Sequence, residues 1–109
     1  MGLTILLVDD DQILTEKTKN SLNWDSLGIG MVFTANNIHE AKGILKVYKV
    51  DILLCDVYMP MGSGLELVEW IREEGKDMKC IFLSSYANFT YAQKALRLGS
   101  VNYLLKPIS

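Results

Sequence analysis

Residues 5 to 12 read "ILLVDDDQ", four apolar residues running without a spacer into three carboxylates, Asp9, Asp10 and Asp11. An apolar run with no polar alternation suits a strand buried on both faces, as in parallel sheets. Three adjacent acids repel one another and each is best solvated by water. A fold that gathers them where a buried strand surfaces has a use for the charge.

The rest of the chain repeats the pattern. Met31 to Thr34, Asp51 to Cys55 ("DILLC"), Cys80 to Leu83 and Val101 to Leu105 are further short apolar runs. Helix-period segments separate them. Gln12 to Leu22 has Ile13, Leu14 and Leu22 as a sparse apolar side. Ala41, Ile44, Leu45 and Tyr48 recur at i, i+3, i+4 and i+7, behind Asn36 or Asn37 as N-cap. "MPMGSG" is loop chemistry, with Ser63 as cap of a helix carrying Leu65, Val68 and Ile71, and Gly75 as its left-handed stop. Asn88 to Leu98 reads as a helix closed by Gly99. Strands alternating with helices predict an α/β fold, a doubly wound five-stranded parallel sheet covered on both faces. Functional groups in such sheets collect at the carboxyl edge. The pattern calls for one more covering helix, which is absent because the sequence stops at Ser109. The face left bare would be filled by a second copy or leave the domain unstable, so a homodimer is one expected partner.

Size and composition narrow the function. A length of 109 residues fits one domain, 1–109. Thirteen acids against eleven bases give a net charge of -2, which argues against direct nucleic-acid binding. No apolar run approaches the roughly 18 residues of a membrane span, and the apolar start is too short and too quickly acidic for a signal peptide. Cys55 and Cys80 lack metal-type or redox-type spacing, which suits buried thiols in a cytoplasmic protein.

The strand ends carry the chemistry. The first delivers Asp9, Asp10 and Asp11, the third Asp56, the fourth Ser84 and Ser85, and the fifth Lys106 followed by Pro107. Clustered carboxylates without histidine form a hard oxygen site suited to Mg²⁺, which would also neutralise their repulsion. A remaining carboxylate can then act as nucleophile, while a hydroxyl and an ammonium hold the oxygens of a transferred phosphoryl group. The set predicts Mg²⁺-dependent formation of an aspartyl phosphate.

"ILLVDDD", "DILLCDVYMPMGSGLEL", "IFLSS" and "NYLLKPI", in that order and spacing, resemble the receiver domain of two-component response regulators. The resemblance covers nearly the whole chain. It implies a flavodoxin-like strand order, 2-1-3-4-5, and a phosphoacceptor signalling domain that catalyses only its own phosphorylation and dephosphorylation. It makes Asp56 the acceptor of a phosphoryl group from a sensor histidine kinase. It assigns direct Mg²⁺ ligation to Asp10, Asp56 and the backbone carbonyl of Tyr58, with Asp9 acting mainly through water. Ser84 and Lys106 would contact the phosphoryl oxygens, and Pro107 would follow a cis bond. Ser85 stands where the family often has Ala or Gly; strand register favours Ser84. Ser84 and Tyr103 match the family's switch pair. Tyr58 and Tyr86 would flank the phosphoryl group and slow its hydrolysis. Asp11 is read as the N-cap of the first helix.

"NWDSLGI", residues 23 to 29, resembles receivers that precede AraC-type DNA-binding output domains, so an output domain outside this chain is an expected partner. Trp24 is read as a packing anchor for its loop and His39 as a solvated surface residue. Three rivals remain. A haloacid-dehalogenase-like phosphohydrolase would use Asp9 as nucleophile, with Asp11 at its Asp-x-Asp spacing. A flavin-binding flavodoxin-like domain would need a phosphate loop where the acids stand. A degenerate receiver would bind partners without phosphorylation.

Overall fold

A computed structural model describes residues 2–56, 64–84 and 101–105; of residues 83, 84 and 101–105 it describes the backbone course. The elements alternate as the apolar runs require: β1 (Leu3–Val8), α1 (Gln12–Ser21), a 3-10 turn (Asp25–Leu27), β2 (Ile29–Ala35), α2 (Ile38–Val47), β3 (Ile52–Asp56), α3 (Gly64–Glu73), β4 (Lys79–Ser84) and β5 (Val101–Leu105). The strands form one parallel sheet in the order β2-β1-β3-β4-β5. Fold class and strand order are those expected. The helix expected over 88–98 and the cap at Ser63 lie outside the described residues.

Successive residues of each strand serve opposite faces. Leu6, Val8, Leu53, Cys55, Cys80 and Phe82 pack in one cluster with Ala41 and Leu45 of α2 and Leu65, Leu67, Val68 and Ile71 of α3. Ile5, Leu7, Ile29 and Leu54 form the second cluster, with Trp24, Val32, Ile52 and Ile81 against it. The chain steps outward from β1 to β2 and then back past β1 to β3. Right-handed crossovers therefore put α1 on one face and α2 with α3 on the other. Near the start of β2 the pairing jumps from Leu3↔Ile29 to Thr4↔Met31. That extra residue, Gly30, lets Ile29 and Val32 join the same cluster although three positions separate them.

Two helices differ from their sequence reading. Ile13 is 80% exposed, and Thr15 is the buried residue of α1. Burial of Thr15 is tolerated because its hydroxyl donates to the carbonyls of Asp11 (2.8 Å) and Gln12 (3.1 Å). Tyr48 follows the last residue of α2, half exposed, and stacks on Phe33 with ring centroids 4.6 Å apart instead of entering the core. Ala41 and Leu45 are buried, and Asn37 is the N-cap, accepting from the Glu40 N–H at 2.8 Å. Gly75 has the left-handed φ of 69° expected after α3.

Candidate functional site

Strand register brings the acids level. Val8 pairs with Cys55 and Asp56 with Leu83, so the residue after Val8, Asp9, emerges beside Asp56 at the carboxyl edge. Ser84 follows one position on and pairs with Leu105, which precedes Lys106 in the chain. Asp9, Asp10 and Asp56 each offer a carboxylate oxygen, and these atoms lie within 4.8 Å of one another. Lys106, Pro107, Tyr58, Ser85 and Tyr86 lie outside the described residues, as do the side chains of Ser84 and Tyr103.

The three consecutive acids have three different surroundings. Asp9 is buried, 6% exposed, and its Oδ1 accepts the Asp11 N–H at 3.0 Å. Asp10 is exposed. Its carboxyl is nonetheless held above the usual carboxylate range, first by partial loss of water, then by a hydrogen bond and the negative charge of Asp9, then by the charge of Asp56. Asp11 turns away as the N-cap of α1, its Oδ1 accepting the Leu14 N–H at 3.0 Å, as its sequence position implied. Two acids of the triplet join Asp56, and the third holds the helix.

Three carboxylates whose oxygens lie within 4.8 Å of one another are a donor set that favours a small hard cation. The chemistry fits Mg²⁺, which takes oxygen ligands and would remove the repulsion acting on Asp10. Among the described residues, Asp9, Asp10 and Asp56 are the group of this kind.

The backbone under the site is tied to neighbouring elements. The Asp9 N–H donates to the Ala35 carbonyl (3.1 Å). The Asn36 Nδ2 donates to the Asp9 carbonyl (2.9 Å) and to the Thr15 hydroxyl (3.2 Å). At Gly64, a Cβ would stand 2.5 Å from the Asp56 carbonyl oxygen and 3.0 Å from both the Cys55 Sγ and the Phe82 ring. The start of α3 can approach the end of β3 this closely only through a glycine. Sequence reasoning missed Thr15 and took Asn36 only as a helix cap. Their signal lay in a threonine within the first turns of α1 and an asparagine directly after β2, which local spacing alone does not distinguish from ordinary helix and cap residues.

Among the described residues no helix is long and apolar enough to cross a membrane. A model of the family described as "Response regulator receiver domain" matches residues 5–109. The chain is 36% identical over 103 residues to the uncharacterized transcriptional regulatory protein YesN of Bacillus subtilis, covering 94% of this chain and 28% of that protein. It spans less than half the length of the curated relatives it matches, from 28% to 44% among those most similar. The receiver domain of AraT, a response regulator from Geobacillus stearothermophilus, superposes with a TM-score of 0.87 at 34% identity, covering 100% of this chain and 84% of that one. A two-component transcriptional regulator AraC from Clostridium phytofermentans superposes with a TM-score of 0.88 at 32% identity, covering 98% and 83%.

Proposed function

The chain belongs to the response regulator receiver domain family, and we propose that residues 1–109 act as a phosphorylation-controlled signalling domain with Asp56 as phosphoacceptor. The observation that carries this reading is the convergence of Asp9, Asp10 and Asp56 within 4.8 Å at the ends of adjacent strands. Asp56 is the acid of this set that β3 itself delivers, half-buried, with its backbone held in the sheet beside Leu83. Asp9 is a poorer nucleophile: it is buried, and its Oδ1 is occupied by the Asp11 N–H. That counts against the phosphohydrolase alternative.

In the proposed reaction an Asp56 carboxylate oxygen bonds to phosphorus as the bond from phosphorus to a donor-histidine nitrogen breaks, the electron pair leaving with the imidazole. Asp9, Asp10, Asp56 and the Tyr58 carbonyl would hold Mg²⁺, which when bound screens charge on the phosphoryl oxygens. Ser84 and Lys106 would take the remaining oxygens, by hydrogen bond and ion pair. Movement of Ser84 toward the phosphoryl group, followed by Tyr103, would carry the change to the outer surface. The donor would be a sensor histidine kinase, and the setting cytoplasmic. The transcription regulators among the relatives support a DNA-binding output domain in the full-length protein.

The test is incubation with Mg²⁺ and acetyl phosphate. Wild type should gain one acid-stable, base-labile phosphoryl group. Asp56→Asn should abolish it, and Asp9→Asn should weaken it through the metal. Labelling that survives in Asp56→Asn and disappears in Asp9→Asn overturns the reading in favour of Asp9 as nucleophile.

A further inference from the structure

We infer that Asn36, working with Thr15, is a positioning residue for the divalent-ion site, although neither side chain belongs to the acidic cluster. The inference rests on the reading of that cluster as a Mg²⁺ site and extends it to residues that would not touch the ion.

The argument starts from the peptide units on either side of Asp9. The Asp9 N–H is fixed by the Ala35 carbonyl at 3.1 Å. The Asp9 carbonyl belongs to the peptide that launches Asp10, and it accepts the Asn36 Nδ2 at 2.9 Å. Consecutive residues at the end of β2 therefore hold both peptide planes of Asp9. The direction in which the next residue, Asp10, leaves the strand follows from those planes.

The same Nδ2 also donates to the Thr15 hydroxyl at 3.2 Å. That hydroxyl in turn donates to the Asp11 carbonyl at 2.8 Å, and the Thr15 N–H reaches the same carbonyl at 3.0 Å. One amide group thus links the peptide before Asp10 to the first turn of α1, spanning the loop from both ends. Thr15 is only 3% exposed, so its hydroxyl is largely shielded from competing water. Asn36 is itself anchored, its own N–H donating to Glu40 Oε1 at 2.8 Å within the capped start of α2.

The physical consequence concerns ordering. Asp10 is exposed, and in the ion-free protein the charges of Asp9 and Asp56 repel its ionised carboxylate. A backbone clamp keeps its carboxylate near its partners against that repulsion. Groups that orient ligands without touching a metal typically change its affinity by roughly 10- to 100-fold when removed.

The experiment measures Mg²⁺ affinity by calorimetry on wild type, Asn36→Ala, Thr15→Val and Thr15→Ser, with Val50→Ala as control. Val50 is buried in the core just before β3, at the opposite edge, and its truncation destabilises the fold without touching the clamp. Asn36→Ala and Thr15→Val should each weaken Mg²⁺ binding roughly tenfold, while Thr15→Ser, which keeps the hydroxyl, stays near wild type. Acetyl phosphate labelling of Asn36→Ala should recover at saturating Mg²⁺, since only occupancy is impaired. Val50→Ala should lower the melting temperature and leave Mg²⁺ affinity unchanged. Wild-type affinity in both Asn36→Ala and Thr15→Val overturns the inference alone. Equal weakening in Val50→Ala also overturns it, since the effect would then be general destabilisation. Failure of wild type to bind Mg²⁺ overturns the site reading and the inference together.

Discussion

The two edges of the sheet both place aspartates at strand ends and use them in opposite ways. At the amino edge Asp51 sits just before β3 as a joint. Its Oδ2 accepts the Thr4 N–H at 2.8 Å, its N–H donates to the Thr4 carbonyl at 2.9 Å, and its carbonyl accepts the Lys79 N–H at 3.0 Å. One residue there, through its carboxylate, its N–H and its carbonyl, knits β1, β3 and β4 together. At the carboxyl edge carboxylate oxygens of Asp9, Asp10 and Asp56 lie within 4.8 Å of one another, and partial loss of water, then the neighbouring acids, hold the Asp10 carboxyl above its usual range. The residue type is the same; the difference is whether a strand-end acid is matched to donors or crowded against other acids. Crowding weakens the fold and prepares a cation site, whereas matching strengthens the fold and prepares nothing.

The largest effect expected is at the carboxyl edge. Gly64→Ala forces a Cβ to within 2.5 Å of the Asp56 carbonyl oxygen, so backbone must move. We expect a stability loss of about 2 kcal/mol in urea denaturation, as for other overpacked cores. Phosphorylation of Asp56 should slow by on the order of tenfold, because the acceptor is displaced. A variant as stable and as fast as wild type would mean that α3 can withdraw freely from β3.

Asp51→Ala tests the opposite edge. It leaves the Thr4 N–H without its carboxylate acceptor and should cost about 1–2 kcal/mol, with Mg²⁺ affinity unchanged in calorimetry. Loss of Mg²⁺ binding in this variant would show that the edges are coupled and break the contrast.

A smaller effect of opposite sign is expected for Asp10→Asn. Because the folded protein raises the Asp10 pKa, its ionised form weakens the fold at neutral pH, and that penalty fades as pH falls through the raised value toward the ordinary one. Removing the charge should therefore raise the melting temperature of the Mg²⁺-free protein slightly, since solvent screens an exposed carboxylate, while Mg²⁺ binding is lost. A lowered melting temperature would mean that Asp10 contributes more by hydrogen bonding than it costs by repulsion.

The smallest expected signal comes from the thiols, which sit one position inside each edge. Cys55 precedes Asp56 and Cys80 follows Lys79, both fully buried. Burial pushes the Cys80 thiol up, outweighing the charge of Arg72. Alkylation of the folded protein near pH 8 should be much slower than in urea. Rapid labelling of the native protein would show that the core opens more readily than its packing implies.

Much of this was legible locally. Apolar runs without alternation, each ending at a helix-period segment, made a parallel sheet the economical reading, and β1 to β5 follow those runs to within about two residues, the usual uncertainty of element ends. Asp11 was readable as a cap because its partner, Leu14, lies three residues away. Thr15 and Asn36 were not readable. A threonine inside a sparse helix and an asparagine before a helix both fit commonplace local roles. What sets them apart is a hydrogen bond spanning 21 residues of sequence and another, from Asn36 to Asp9, spanning 27. Ile13 misled for the same reason, since a helix with few apolar residues does not announce which face the sheet will take.

By itself the sequence determined the order of elements, the class of sheet and the collection of acids at one edge. These depend on residue periodicity and on which residues follow each strand, properties that neighbours along the chain settle. The tertiary structure alone decided which acids meet. The pairing of Val8 with Cys55 sets Asp9 level with Asp56, and the clamp from the end of β2 sets the path of Asp10. Those are relations between distant segments, settled by strand register and crossover, and a one-residue slip in β3 would send Asp56 to the opposite face without changing a single local propensity.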